Sequence, residues 1–198
     1  MEKINKKEIG IFSGSFNPIH IGHLILVNYM CEFTHLQEVW LVITPHNPLK
    51  TKKDLLDEQT RLKMVQLALT QYKKIKVSDI ELKLKRPSYT INTLEKLSED
   101  HPDCNFTLII GGDNWTIFNK WKDYNKIIEK YKILIYPRQG TEIIIPDYLK
   151  KTVNIVTAPI VEISSTFIRK SINEGKDMRA FIPPLVYDYI KQNKLYEL

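Results

Sequence analysis

Short apolar runs alternate with helical patterns along this chain, and that alternation limits the fold more than any other feature. Six candidate strands stand out: Glu8–Ser13, Glu38–Thr44, Lys76–Glu81, Phe106–Gly111, Lys132–Pro137 and Val153–Thr157. Each is nearly continuously apolar and β-branched, as expected of strands buried on both faces of a parallel sheet. Between them, Glu58–Tyr72 repeats Leu62, Val65, Leu69 and Tyr72 at helical spacing, and Thr90–Asp100 repeats Ile91, Leu94 and Leu97. Pro183–Lys194 begins with prolines suited to a first helical turn and repeats Leu185, Val186, Tyr189 and Ile190. The pattern predicts an α/β fold, a doubly wound, Rossmann-like and mainly parallel sheet flanked by helices. No repeat, low-complexity tract or long linker divides the chain, so residues 1–198 are expected to form a single domain.

Composition narrows the function classes. The longest apolar runs, such as Ile133–Tyr136, fall far short of a membrane span. The charged opening MEKINKKEIG leads straight into a candidate strand without a signal-peptide core. Two cysteines, Cys31 and Cys104, form no CxxC pair, so neither a disulfide framework nor a zinc knuckle is supported. The expectation is a cytoplasmic protein. The net charge of +6 suits either nucleic acid or a small polyanion. The lysines are scattered as pairs (Lys6-Lys7, Lys52-Lys53, Lys73-Lys74, Lys150-Lys151), which reads as solvated surface and favours the small polyanion.

In a doubly wound sheet, ligands bind beyond the carboxyl ends of the strands. The first such loop reads GSFNPIHIGH, residues 14–23. Gly14 permits close backbone approach, and Asn17-Pro18 is a candidate helix opening with Asn17 as cap. His20 and His23 then stand three apart in or just before the first turn, where free N–H groups and the helix dipole already favour an anion. Neutral or charged, each imidazole adds a hydrogen-bond donor, which fits a polyphosphate. The spacing matches neither the G-x-G-x-x-G fingerprint nor a P-loop, and His-x-x-His without a nearby cysteine or carboxylate is a thin metal set. Near the other end, ISSTFIR (163–169) offers Ser164 or Ser165 as a helix cap and Arg169 as a forked phosphate partner.

These stretches resemble the H-x-G-H and I-S-x-T-x-x-R motifs of the nucleotidyltransferase superfamily, whose members transfer a nucleoside monophosphate from a triphosphate. The middle of the chain narrows the resemblance. RPSYTINTL (86–94), GGDNW (111–115), KWKDY (120–124), Arg138-x-Gly140 and the ending Asn193-Lys194-Leu195-Tyr196 are similar to the bacterial nicotinate-nucleotide adenylyltransferases over nearly the whole length. That family joins nicotinate mononucleotide to AMP from ATP and releases pyrophosphate. The resemblance implies catalytic roles for His20, His23 and Arg169. It implies ATP contacts from Ser13, Gly14, Ser15, Phe16, His20, His23, Gly111, Asp113, Ser164, Ser165, Thr166 and Arg169, and mononucleotide contacts from Lys50, Tyr89, Thr90, Trp121 and Arg138.

Read as residues alone, several of these positions stay open. Asp113 caps a helix or binds ribose hydroxyls, Tyr89 packs or binds, and Trp121 is a core aromatic or a stacking face for a ring. Two departures from the family pattern are visible. Asn17 replaces the usual aspartate, which argues for a loop-shaping role, and His46-Asn47-Pro48 (in place of Pro-Pro-His) leaves the role of His46 open. The partners implied are ATP and nicotinate mononucleotide, with Mg²⁺ carried by the phosphates, and neither nucleic acid nor membrane; a homo-oligomer is allowed but not specified. The alternatives are an adenylyltransferase acting on nicotinamide mononucleotide or 4′-phosphopantetheine, and a non-catalytic nucleotide sensor.

Overall fold

The computed structural model of the protein describes residues 6–45 and 55–197. Six parallel strands form one sheet in the order β3-β2-β1-β4-β5-β6: β1 (Lys7–Gly14), β2 (Glu38–Ile43), β3 (Ile75–Ser78), β4 (Cys104–Gly111), β5 (Lys132–Tyr136) and β6 (Val153–Ile155). The chain starts in the middle, winds outward to β3, then crosses back to lay β4 against the other side of β1. This is the doubly wound order, with its topological switch between β1 and β4.

Strand periodicity sorts the core into two layers. Ile9, Ile11, Phe106, Leu108, Ile110, Ile133 and Ile135 face α4 (Thr90–Asp100) and α6 (Tyr124–Lys130), where Ile91, Leu94, Leu97 and Ile127 meet them. On the other face, Phe12, Val39, Leu41, Ile43, Ile109 and Leu134 meet α1 (Ile21–Phe33), α2 (Glu58–Ala68), α7 (Ser165–Asn173) and α8 (Pro184–Gln192). Burial on both faces explains the uninterrupted apolar runs.

Several boundaries differ from the sequence expectation. The third strand does not run to Glu81. It stops at Ser78, whose hydroxyl accepts from the Ile80 N–H, and the chain coils into the short α3 (Ile80–Lys83). The remaining helix of the fold is α5 (Gly112–Trp115). Helix α2 ends at Ala68, not Tyr72, and its buried stripe is rotated: Arg61, Met64, Val65 and Ala68 are inside, whereas Leu62 is only half-buried and Tyr72 is exposed. The last helix ends at Gln192, two residues short of expectation. His46 and Lys50 lie outside the described residues. No helix among the described residues is long and apolar enough to cross a membrane.

Candidate active site

Strand β1 ends in Ser13 and Gly14, and the loop that follows crosses the carboxyl edge of the sheet before α1 begins. Asn17 does not cap that helix; His20 does. The His20 carbonyl accepts from the His23 and Leu24 N–H groups, so the first turn is set three residues later than the sequence suggests. The Asn17 side chain has other work: its Oδ1 accepts from the Tyr196 hydroxyl at 2.8 Å and from the Leu56 N–H at 3.4 Å. The Asn17–Pro18 peptide is cis. Phe16 has φ of 44° and turns its ring inward, where it is 2% exposed and lies edge-on to Phe12 and His23. Only its backbone is left to face a nucleotide.

The two histidines stack, with ring centroids 3.7 Å apart. The His20 backbone N–H donates to His23 Nδ1 at 3.3 Å. An accepting Nδ1 places the ring proton on Nε2. His20 is buried, and its Nδ1 has no hydrogen-bond partner among the described residues. Burial, assisted by the positive charge of Arg138, pulls its pKa down to about 4. His20 is therefore neutral at physiological pH and does not act as a standing cation in the free protein, one of the two forms the sequence left open. Gly22 makes room for this ring: a Cβ there would lie 3.1 Å from His20 Nδ1.

The second motif arrives from the far end of the chain. Ser164 caps α7, accepting from the Phe167 N–H at 3.1 Å. The Ser165 hydroxyl then donates to the Pro18 carbonyl at 2.9 Å, and Arg169 donates to the Asn17 carbonyl at the same distance and to the Thr166 hydroxyl at 3.4 Å. A helix N-terminus and a guanidinium thus abut the loop that carries both imidazoles. Two anion-binding devices on one loop can flank one polyanion.

Beyond β4, Gly111 leads into α5. Asp113 makes no capping bond there; it is exposed and forms an ion pair with Arg138 at 3.7 Å. Arg138 also donates to the Tyr136 hydroxyl at 3.1 Å, and its charge is felt by His20. Arg138 therefore stands at the β1–β4 switch beside the histidines. Thr90 opens α4, and Tyr89 precedes it, partly exposed. Trp121 is half-buried and packs on Phe118 at 5.2 Å, on the same sheet face as α4. No group of three or more His, Cys, Asp or Glu side chains is arranged to hold a metal ion among the described residues.

Three residues to which the sequence assigns no site role organise this region. Arg61 is fully buried and donates to the carbonyls of Ser15 (2.6 Å), Thr44 (2.9 Å), Leu56 (3.0 Å) and Pro45 (3.1 Å). Glu81, also buried, accepts from Ser13, Ser88 and Thr93. Tyr196 reaches back from the chain's end to Asn17. One signal was readable: Arg61 falls in helical register with Met64, Val65 and Ala68, an arginine inside an apolar stripe.

Comparison with known proteins shows the family and the fold. A family model described as cytidylyltransferase-like matches residues 11–171. A Flavobacterium johnsoniae protein named "Probable nicotinate-nucleotide adenylyltransferase" is 50% identical over 194 residues, covering 96% of this chain and 99% of its own. A Bacteroides fragilis protein of the same name is 51% identical over 94% of this chain and 92% of its own. Among solved structures, nicotinic acid mononucleotide adenylyltransferase from Plasmodium falciparum, complexed with NaAD, superposes with a TM-score of 0.77 at 24% identity. That match covers 96% of this chain and 97% of that one, and it speaks for the fold.

Proposed function

The chain belongs to the cytidylyltransferase-like family, among the nicotinate-nucleotide adenylyltransferases, and from that premise we propose that it joins the adenylyl group of ATP to nicotinate mononucleotide in NAD biosynthesis. The 5′-phosphate of the mononucleotide attacks the α-phosphorus of ATP. A new P–O bond forms, the bond from the α-phosphorus to the bridging oxygen breaks, and pyrophosphate leaves. A phosphate monoester is already largely dianionic at neutral pH, its second pKa being about 6, so no general base is needed. The barrier is the meeting of two polyanions, and catalysis reduces to alignment and charge neutralisation.

The roles follow from that requirement. His20, as a neutral imidazole, and His23 donate to phosphate oxygens, and α7 receives the triphosphate from the opposite side through Ser164, Ser165, Thr166 and Arg169. Ser13, Gly14, Ser15 and the Phe16 backbone line its path, with Gly111 and Asp113 across the switch point. ATP enters as its Mg²⁺ complex, the ion carried on phosphate oxygens and water. Tyr89, Thr90 and Trp121 face the nicotinate ring and its carboxylate. Arg138, paired with Asp113 beside His20, fits the mononucleotide phosphate as it approaches the reaction centre.

One observation carries the reading: Ser165 and Arg169 bond to the loop that bears the histidines. Pyrophosphate release on mixing with ATP and nicotinate mononucleotide tests it. A binding protein without turnover releases none, and the same assay with the amide mononucleotide separates the two acceptors.

A further inference from the structure

Glu81 is buried in α3, and the donors it accepts are three hydroxyls. Ser13, at the end of β1, donates to Oε1 at 3.4 Å; Thr93 on α4 donates to Oε1 at 2.9 Å; Ser88, just before α4, donates to Oε2 at 3.4 Å. Thr93 is fully buried, so this is not a solvated surface cluster. Among the described residues no charged side chain pairs with the carboxyl; burial raises its pKa and the three hydroxyls oppose that. A buried carboxylate without a cation is a costly choice for a core position, since an apolar residue would fill the space. Its three partners explain why it is there. Ser13 belongs to the loop assigned to the triphosphate, while Ser88 and Thr93 flank Tyr89 and Thr90, assigned to the nicotinate end.

We propose that Glu81 is a positioning residue that joins the triphosphate loop to the acceptor segment, so that both substrate sites share one hydrogen-bonded anchor. This rests on the adenylyltransferase reading given above. It adds that damage on the acceptor side of the anchor is felt by ATP. Each bond is of ordinary strength, and losing the whole set leaves Ser13 and Ser88 free to reorient, blurring both sites at once.

The test begins with wild-type turnover, which stands or falls with the parent reading. Affinities for a non-hydrolysable ATP analogue and for nicotinate mononucleotide are then measured separately by calorimetry on Glu81→Ala, Glu81→Gln and Thr93→Val, alongside thermal melting. Glu81→Ala is expected to weaken both ligands by about tenfold. Glu81→Gln keeps a carbonyl oxygen for Ser13 and Thr93, and Ser88 can turn to accept from its amide; it is expected to bind both ligands within about twofold of wild type. Thr93→Val removes one hydroxyl at constant shape, on the acceptor side, and is expected to weaken the ATP analogue about threefold. Should Glu81→Ala fail to fold, Thr93→Val decides. Unchanged ATP affinity in Thr93→Val, or a Glu81→Gln variant as impaired as Glu81→Ala, overturns the proposal. So does a lowered melting temperature with both affinities intact.

Discussion

At the residue scale, the candidate site carries two imidazoles in different circumstances. His23 accepts the His20 backbone N–H at Nδ1, which puts its ring proton on Nε2. Its removal should resemble the loss of one preorganised electrostatic donor: His23→Ala is expected to lower kcat by on the order of 10²–10³ with the melting curve unchanged. Steady-state kinetics beside circular dichroism checks both halves of that statement. His20 makes a different prediction. Its folded pKa of about 4 lies below the ordinary 6.5, so between these values the unfolded chain binds a proton that the native protein refuses. Stability should therefore fall as pH drops from about 6.5 to about 4, by up to roughly 3 kcal/mol from this group, and level off below. Melting temperatures across that window, compared with those of His20→Asn, should show a shallower acid slope in the variant.

At the element scale, helix ends rather than helix faces build the chemistry. Helix α1 begins at His20 because that residue's carbonyl, and not Asn17's, accepts the first helical bonds. Helix α7 begins at Ser164, whose hydroxyl accepts from the Phe167 N–H. Ser164→Ala is expected to cost about 1 kcal/mol, lowering the melting temperature by about 3 °C, whereas Ser164→Thr should keep most of it. A calorimetric scan of the two variants distinguishes a cap from a residue that only lines a surface. The existence of α4 and α7 was legible because Thr90–Asp100 repeats its apolar residues cleanly and Ser164 precedes such a repeat. The expected α2 repeat of Leu62, Val65, Leu69 and Tyr72 shares Val65 and Leu69 with the buried face, which Arg61, Met64 and Ala68 complete.

At the scale of the whole molecule, loops distant in sequence are tied by a few buried polar groups. Arg61 joins the loop after β1 to the one after β2 through the carbonyls of Ser15, Thr44 and Pro45. Tyr196 and Arg169 bring the last quarter of the chain onto Asn17. Arg61→Met fills the same space without donors and leaves several carbonyls unpaired. It is expected to destabilise the protein by on the order of 3 kcal/mol, or about 10 °C in melting temperature, and to lower kcat as the first loop loosens. Arg61→Lys should not rescue it, because a single ammonium cannot reproduce the planar fork. Urea melts and kinetics on both variants would show whether loop order and stability fall together.

By itself, the sequence determined the alternation of strands and helices, the parallel sheet and the two motifs, GSFNPIHIGH and ISSTFIR. These depend on local periodicity, turn residues and short spacings that a chain carries wherever it is read. Only the tertiary structure decided that His20 is neutral, that Asn17 braces the loop instead of capping a helix, that Glu81 belongs inside and that Arg61 ties four loop carbonyls together. Each of those outcomes depends on burial and on partners in remote segments: Arg138 for His20, Tyr196 for Asn17, Ser15 for Arg61, Ser13 for Glu81. Spacing along a chain carries no information about such meetings until the sheet has closed the distance.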